Sequence, residues 1–199
     1  MIKMKLVNDD ETLQTLINSS YRNFHRKGFD YICIERTPTL MKKVYFFGED
    51  ITVGDDIVNP HDHRYVFGTN VLAGVISNSF YEEDAYGEVY NQFHWRTPLL
   101  GGTGHEWHRE ARLLETKRKV MRAGQMYFMD VNQMHTIRIH RPDTVIQLDC
   151  SADVIPEPVP TSTYMRDREV PKLDGLYDRF TEDGWIARYQ QYLDIINRF

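Results

Sequence analysis

Asn59-Pro-His-Asp-His63, answered far downstream by Gly124-Gln-Met-Tyr-Phe-Met-Asp-Val-Asn-Gln-Met-His135, decides how this chain is read. Two histidines with one residue between them share a face where the backbone is extended, because side chains on a strand alternate with a period of two. That spacing puts His61 and His63 on one wall. A third imidazole from a distant strand, His135, completes a facial set of neutral nitrogen donors. Such a set holds a divalent first-row metal and leaves other coordination positions open. Tyr65 stays in phase with the pair, as Tyr127 and Met129 do with His135, so these side chains are expected to line the cavity.

Outward from these stretches the pattern is mostly that of strands. Tyr31-Ile-Cys-Ile34, Val44-Tyr-Phe-Phe47, Tyr65-Val-Phe67, Val89-Tyr-Asn-Gln-Phe-His-Trp95 and Arg112-Leu-Leu-Glu-Thr116 are rich in β-branched and aromatic residues. Ahead of them, Asn8 with Glu11 forms a capping box, and Leu13, Leu16, Ile17, Tyr21 and Phe24 recur at helical spacing. Gly101-Gly-Thr-Gly104 reads as a flexible excursion, which places His105 and His108 in a loop and raises the question of a lid over 88–118. Glu115-Thr-Lys-Arg-Lys119 reads as a solvated hairpin end. Pro156, Pro158 and Pro160 forbid regular pairing and imply an extended exit segment, and Asp183 to Asn197 returns to helical spacing with Trp185, Tyr189, Tyr192, Leu193 and Ile196 facing inward.

One domain over 1–199 is expected, with a helical segment at 1–30, a barrel at 31–155 and an extended segment plus helix at 156–199. No run approaches the roughly twenty apolar residues needed to cross a bilayer, and the charged start at Asn8-Asp-Asp-Glu11 does not suit a signal peptide. Only Cys33 and Cys150 are present, which favours a reducing compartment, so a cytoplasmic location is expected. A net charge of −5 argues against a nucleic-acid groove. The expected partners are a small-molecule substrate and dioxygen, with no nucleic acid or membrane; a homodimer is compatible with the chain.

The spacings resemble the two signatures of the cupin superfamily, small β-barrels that hold a metal inside. After His61 and His63, Gly74 falls where the first signature has its closing glycine, and Phe67 stands where that signature has a glutamate ligand. Gly124 and His135 match the second signature, while Asp130, Asn132 and Ile139 replace its proline, second glycine and asparagine. A set of three histidines without the glutamate is most similar to the thiol dioxygenases of the cysteine dioxygenase type, whose iron ligands would fall on His61, His63 and His135. The resemblance spans Val44 to Tyr81 and Lys119 to Asp149, with an N-terminal helix ahead of it, and Gly68 fits the bacterial form of that family. The family's serine, histidine and tyrosine relay is not found; its tyrosine position falls near Cys150. The family's substrate arginine has no secure counterpart, and Lys42 and Lys43 are the nearby cations.

The resemblance implies a cupin fold, a jelly-roll β-barrel with both terminal helices packed outside, and Fe(2+) as cofactor, with Zn, Ni or Mn as other candidates. Three neutral ligands leave the full double charge on the cation and favour anionic, chelating substrates. Arg64, Arg96 and Arg138 are the candidates for orienting a carboxylate; alternation turns Arg64 and Arg138 away, so Arg96 stays open together with Tyr65 and Tyr127. The leading expectation is a mononuclear non-haem iron dioxygenase acting on a small anionic, thiol-containing substrate. The alternatives are a metal-dependent isomerase, lyase or hydrolase on a small acid or sugar, and a non-catalytic ligand-binding module.

Overall fold

Short runs of β-branched and aromatic residues pair into two antiparallel sheets in the computed structural model, which describes residues 10–24, 28–48, 51–157, 159–170, 172 and 177–198. Along the chain come α1 (Asp10–Asn18), β1 (Tyr21–Arg22), β2 (Phe29–Arg36), β3 (Leu40–Phe47), β4 (Phe67–Ala73), β5 (Val75–Arg96) and β6 (Gly104–Arg122). They are followed by β7 (Met126–Met129), β8 (Met134–Ile139), β9 (Thr144–Ser151), β10 (Thr161–Met165), β11 (Asp178–Arg179) and α2 (Glu182–Ile196). The larger sheet has the order β11-β1-β2-β3-β9-β4-β7, and the smaller β10-β5-β6 with β8 added beside β5. The fold is mainly β, as expected, although among the described residues the two sheets face each other without closing into one continuous ladder.

Alternation along the strands sorts the side chains into two cores. Phe67, Val71, Ile146 and Cys150 of the larger sheet meet Ile76, Ile137 and Ile139 of the smaller one in the space between the sheets. On the outer face, Ile32, Val44, Phe46 and Val145 are covered by Leu16 and Ile17 of α1 and by Trp185 and Tyr189 of α2. Both helices therefore pack outside. One hydroxyl joins three elements there: Ser20 Oγ donates to Leu16 O at 2.7 Å and accepts from Cys33 N at 2.8 Å and from the Trp185 indole at 3.1 Å.

That hydroxyl also explains a correction at the N-terminus. Ser19 and Ser20 bond back to Thr15 O and Leu16 O, α1 stops at Asn18, and Tyr21, expected on the helical stripe, enters β1 instead. Phe24 lies beyond the helix as well, against Tyr31 and Phe29. Residues 21 and 22 thus already belong to a sheet, inside the segment expected to be helical. Asn8 of the expected capping box falls outside the described residues.

Two further expectations are corrected. The segment around Gly101 is a tight turn joining β5 to β6, not an excursion, so His105 and His108 lie on β6, with His105 opposite Trp95. The strands also run through Glu115 to Lys119, which pair with β5 in mid-ladder. The interruption in this hairpin falls instead at 84–87, where Glu83 and Glu88 both pair with Leu113. Past Pro156, Thr161–Met165 pairs with β5 as β10, where an unpaired exit was expected. Pro158 lies outside the described residues.

Candidate metal centre

The strand expected through His61 and His63 is absent, since β4 begins only at Phe67 and leaves Tyr65 before it. Single bridges hold His61 instead, one to His135 on β8 and one to Thr163 on β10. His61 N donates to His135 O and His135 N to His61 O, both at 3.0 Å. Asp62 turns the other way and accepts from Ser162 N at 2.7 Å, which ties the segment to β10. The face-sharing expected from the sequence is thus met by backbone anchors on both sides of the loop.

The result is a trio whose ligand atoms all lie within 4.8 Å of one another, with His135 buried and His61 and His63 partly exposed. His61 Nδ1 lies 2.9 Å from Asn59 O, and a carbonyl can only accept, so this nitrogen carries the proton and Nε2 is left bare. His135 Nδ1 lies 3.0 Å from Asn78 Oδ1 and is set in the same way. These partners fix ring orientation and tautomer as second-shell groups do in metal sites. His63 Nε2 and His135 Nε2 are 2.9 Å apart, a distance at which two imidazole nitrogens share either a proton or a cation.

Burial lowers the pKa of all three rings, and His63 is pushed down further by His61, His135 and Lys43. They are uncharged at neutral pH, as ligation requires. Phe67 occupies the wall where a carboxylate ligand was missing, its ring centroid 4.8 Å from that of His63 and 6.0 Å from that of His135. The donor set fits a divalent cation of the first transition row held by nitrogen alone.

The other expected residues divide. Tyr65 packs on the His63 ring at 5.5 Å. Tyr127 is buried between the sheets beside Thr69 and Asn78, so it neighbours the residue that orients His135 rather than the bare nitrogens. Arg96 lies exposed at the end of β5, opposite Gly104 and next to His94, and is not joined to the trio by any contact among the described residues. Arg64 is turned away into Glu157 at 2.8 Å, and Arg138 pairs with Asp56 at 3.0 Å. His94 and His108 stack on each other at 4.1 Å, and His105 lies against Trp95 at 4.4 Å, apart from the trio.

Two residues near the trio escaped sequence reasoning. Asn78 sits in Ser77-Asn-Ser79, a polar run that is buried on β5; the sequence shows the polar run but not its burial, so no signal in it singled this residue out. Lys43, noted only as a nearby cation, is buried on β3 with Nζ 5.6 Å from the centroid of the Tyr65 ring.

No family model matches the sequence, and no curated protein does. Among solved structures, the chain is similar to KdgF from Halomonas sp. at 16% identity, covering 63% of this chain and 81% of that one with a TM-score of 0.40. It is similar to an RmlC-like cupin from Shewanella frigidimarina at 13% identity, 63% and 78% coverage and a TM-score of 0.40. A third is L-ribose isomerase from Cellulomonas parahominis, at 15% identity, 77% and 75% coverage and a TM-score of 0.44.

Proposed function

We propose that this chain is a cupin-type mononuclear non-haem iron dioxygenase acting on a small anionic substrate, with a thiol carboxylate as the first class to test. The observation that carries the reading is the convergence of three uncharged imidazoles, two of them with fixed tautomers, around a wall that offers an aromatic ring in place of a carboxylate. His61, His63 and His135 would hold the metal. Bound Fe(2+) supplies the redox chemistry for dioxygen, and with three neutral ligands it keeps the charge that favours an anionic, chelating guest. The chain's own contribution is placement and dryness: Asn59 and Asn78 hold the rings, and Phe67 and Tyr65 exclude water from one side.

Elemental analysis of protein purified without added metal, followed by oxygen-electrode assays with cysteine and mercaptopropionate, tests this reading. Stoichiometric iron and thiol-dependent oxygen uptake, both lost in His135→Ala, are the expected results. Protein that takes up no transition metal overturns the site, and iron-loaded protein that consumes no oxygen with any small thiol keeps the site and removes thiols as its substrate class.

A further inference from the structure

Behind the Nδ1 edge of His135, three polar side chains meet in the apolar space between the sheets. Thr69 of β4 and Tyr127 of β7 are cross-strand partners, and Phe67 and Val71 flank Thr69 at the strand period, so both side chains lie on the inner face of the larger sheet. Asn78 of β5 shares the inner face of the smaller sheet with Ile76. Thr69 and Asn78 are fully buried, and the Tyr127 phenol stands beside the hydroxyl of the one and the amide of the other.

The Asn78 amide is satisfied at one end only. Its Oδ1 takes the Nδ1 proton of His135 at 3.0 Å, while its Nδ2, like Thr69 Oγ1, is buried with no hydrogen-bond partner among the described residues. An unpaired amide N–H in an apolar interior is costly. The two ends of an amide are nearly the same size, so half a turn exchanges oxygen and nitrogen with little steric change. In the exchanged state Nδ2 would donate to His135 Nδ1, the ring proton would move to Nε2, and the nitrogen that faces His63 would be closed to a cation. Whatever holds the amide therefore acts on its far end. There, the Tyr127 oxygen can accept from Nδ2 once its own proton is given to Thr69 Oγ1. A phenol donates better than an alkyl hydroxyl, and donating strengthens it as an acceptor, so the chain runs from Asn78 to Tyr127 to Thr69. That direction keeps Oδ1 on the ring.

We propose that Tyr127, backed by Thr69, is a positioning residue of the metal centre: it accepts from Asn78 Nδ2 and so keeps the Asn78 oxygen, and not its nitrogen, on His135. This rests on the reading of the trio as a metal site, and it gives Tyr127 a role behind a ligand in place of one in the substrate cavity.

Zn(II) serves as the probe, with wild type, Tyr127→Phe, Thr69→Val, Thr69→Ser and His135→Ala. In metal-free protein with heavy nitrogen in its histidine rings, long-range proton–nitrogen NMR correlation locates the His135 ring proton, and His135→Ala identifies the signals. Zinc affinity is then read by competition with a chromophoric chelator. The expected wild type carries the proton wholly on Nδ1. Tyr127→Phe should place a comparable share on Nε2 and bind zinc about tenfold more weakly. Thr69→Val should shift both readouts the same way, by at least about threefold in affinity, and Thr69→Ser should restore them. Packing alone predicts neither change, since Thr69 Oγ1 has no partner to lose. A His135 proton that stays wholly on Nδ1 in Tyr127→Phe overturns the role of Tyr127, whatever the zinc affinity. Wild type with the expected ring proton that binds no zinc, or binds it as His135→Ala does, overturns the metal site instead. Thr69→Val is read by the same criterion should Tyr127→Phe fail to fold.

Discussion

Asn78 decides which nitrogen of His135 faces the trio, because its Oδ1 holds the Nδ1 proton at 3.0 Å. Asn78→Ala removes that acceptor and leaves a buried N–H without a partner, at a cost of about 1–3 kcal/mol in stability. Metal affinity is expected to fall roughly 10- to 100-fold, as for other losses of an orienting group, and Asn78→Asp, which keeps an acceptor, should retain more of it. Metal titration with a chromophoric chelator reads both, and equal affinity in wild type and Asn78→Ala would show that the ring is held by something else. His105 makes a different residue-scale test. Burial lowers its pKa from 6.5 to about 4. Between those values the unfolded chain binds a proton that the folded chain refuses, so folding stability falls as pH drops through this window and the loss is complete below about 4. The trio contributes a slope of the same sign. Urea denaturation of His105→Gln between pH 7 and pH 4 should therefore show a shallower loss than wild type, by up to one proton, and parallel curves would contradict the burial of this ring.

Gly74 and Gly101 separate space from conformation at the turns that end strands. Both have φ of +82°, but a Cβ on Gly74 would lie 2.1 Å from Thr144 Oγ1 and 2.8 Å from its Cα, whereas nothing lies within 4 Å of one on Gly101. Gly101→Ala should cost about 1 kcal/mol and Gly74→Ala more than about 2, as chemical denaturation would measure; equal losses would mean that the β4–β5 corner yields easily. Gly74 belongs with His61, His63, Gly124 and His135 to the part of the site legible in the sequence, because each is tied to a backbone or ligand requirement that few residue types meet. Other elements were ambiguous for physical reasons. Tyr21 and Phe24 fit helical spacing, yet the turn that removes them from α1 is made by Ser20, whose partners Cys33 and Trp185 are remote in sequence. The prolines at 156 and 160 hid β10, since pairing with β5 depends on the long hairpin and not on local propensity. Lys43 could not be told from Lys42, because only the strand pairing decides which of the two is turned inward.

Across the whole molecule, the trio is a junction between parts of the fold that local contacts leave separate. His135 belongs to β8 of the smaller sheet, His61 and His63 to the loop that leads into β4 of the larger sheet, and His61 is also bridged to Thr163 of β10. A cation bound to all three rings joins both sheets at one point and binds only the folded chain, since the unfolded chain scatters the ligands far apart in sequence. Folded-state binding stabilises by an amount set by the ratio of free metal to Kd, about 4 kcal/mol at a thousandfold excess. For a domain of this size that is a rise of roughly 8–16 °C in Tm. Differential scanning calorimetry with and without Fe(2+), kept anaerobic, should show this increase, and a chelator should reverse it. His135→Ala should melt at one temperature in both conditions. Lys43→Met removes a cation beside the trio and no ligand, so its metal-dependent shift should be at least as large as that of the wild type. A shift that survives in His135→Ala would place the cation elsewhere in the chain, and no shift in wild type would mean that the three rings close on each other without one.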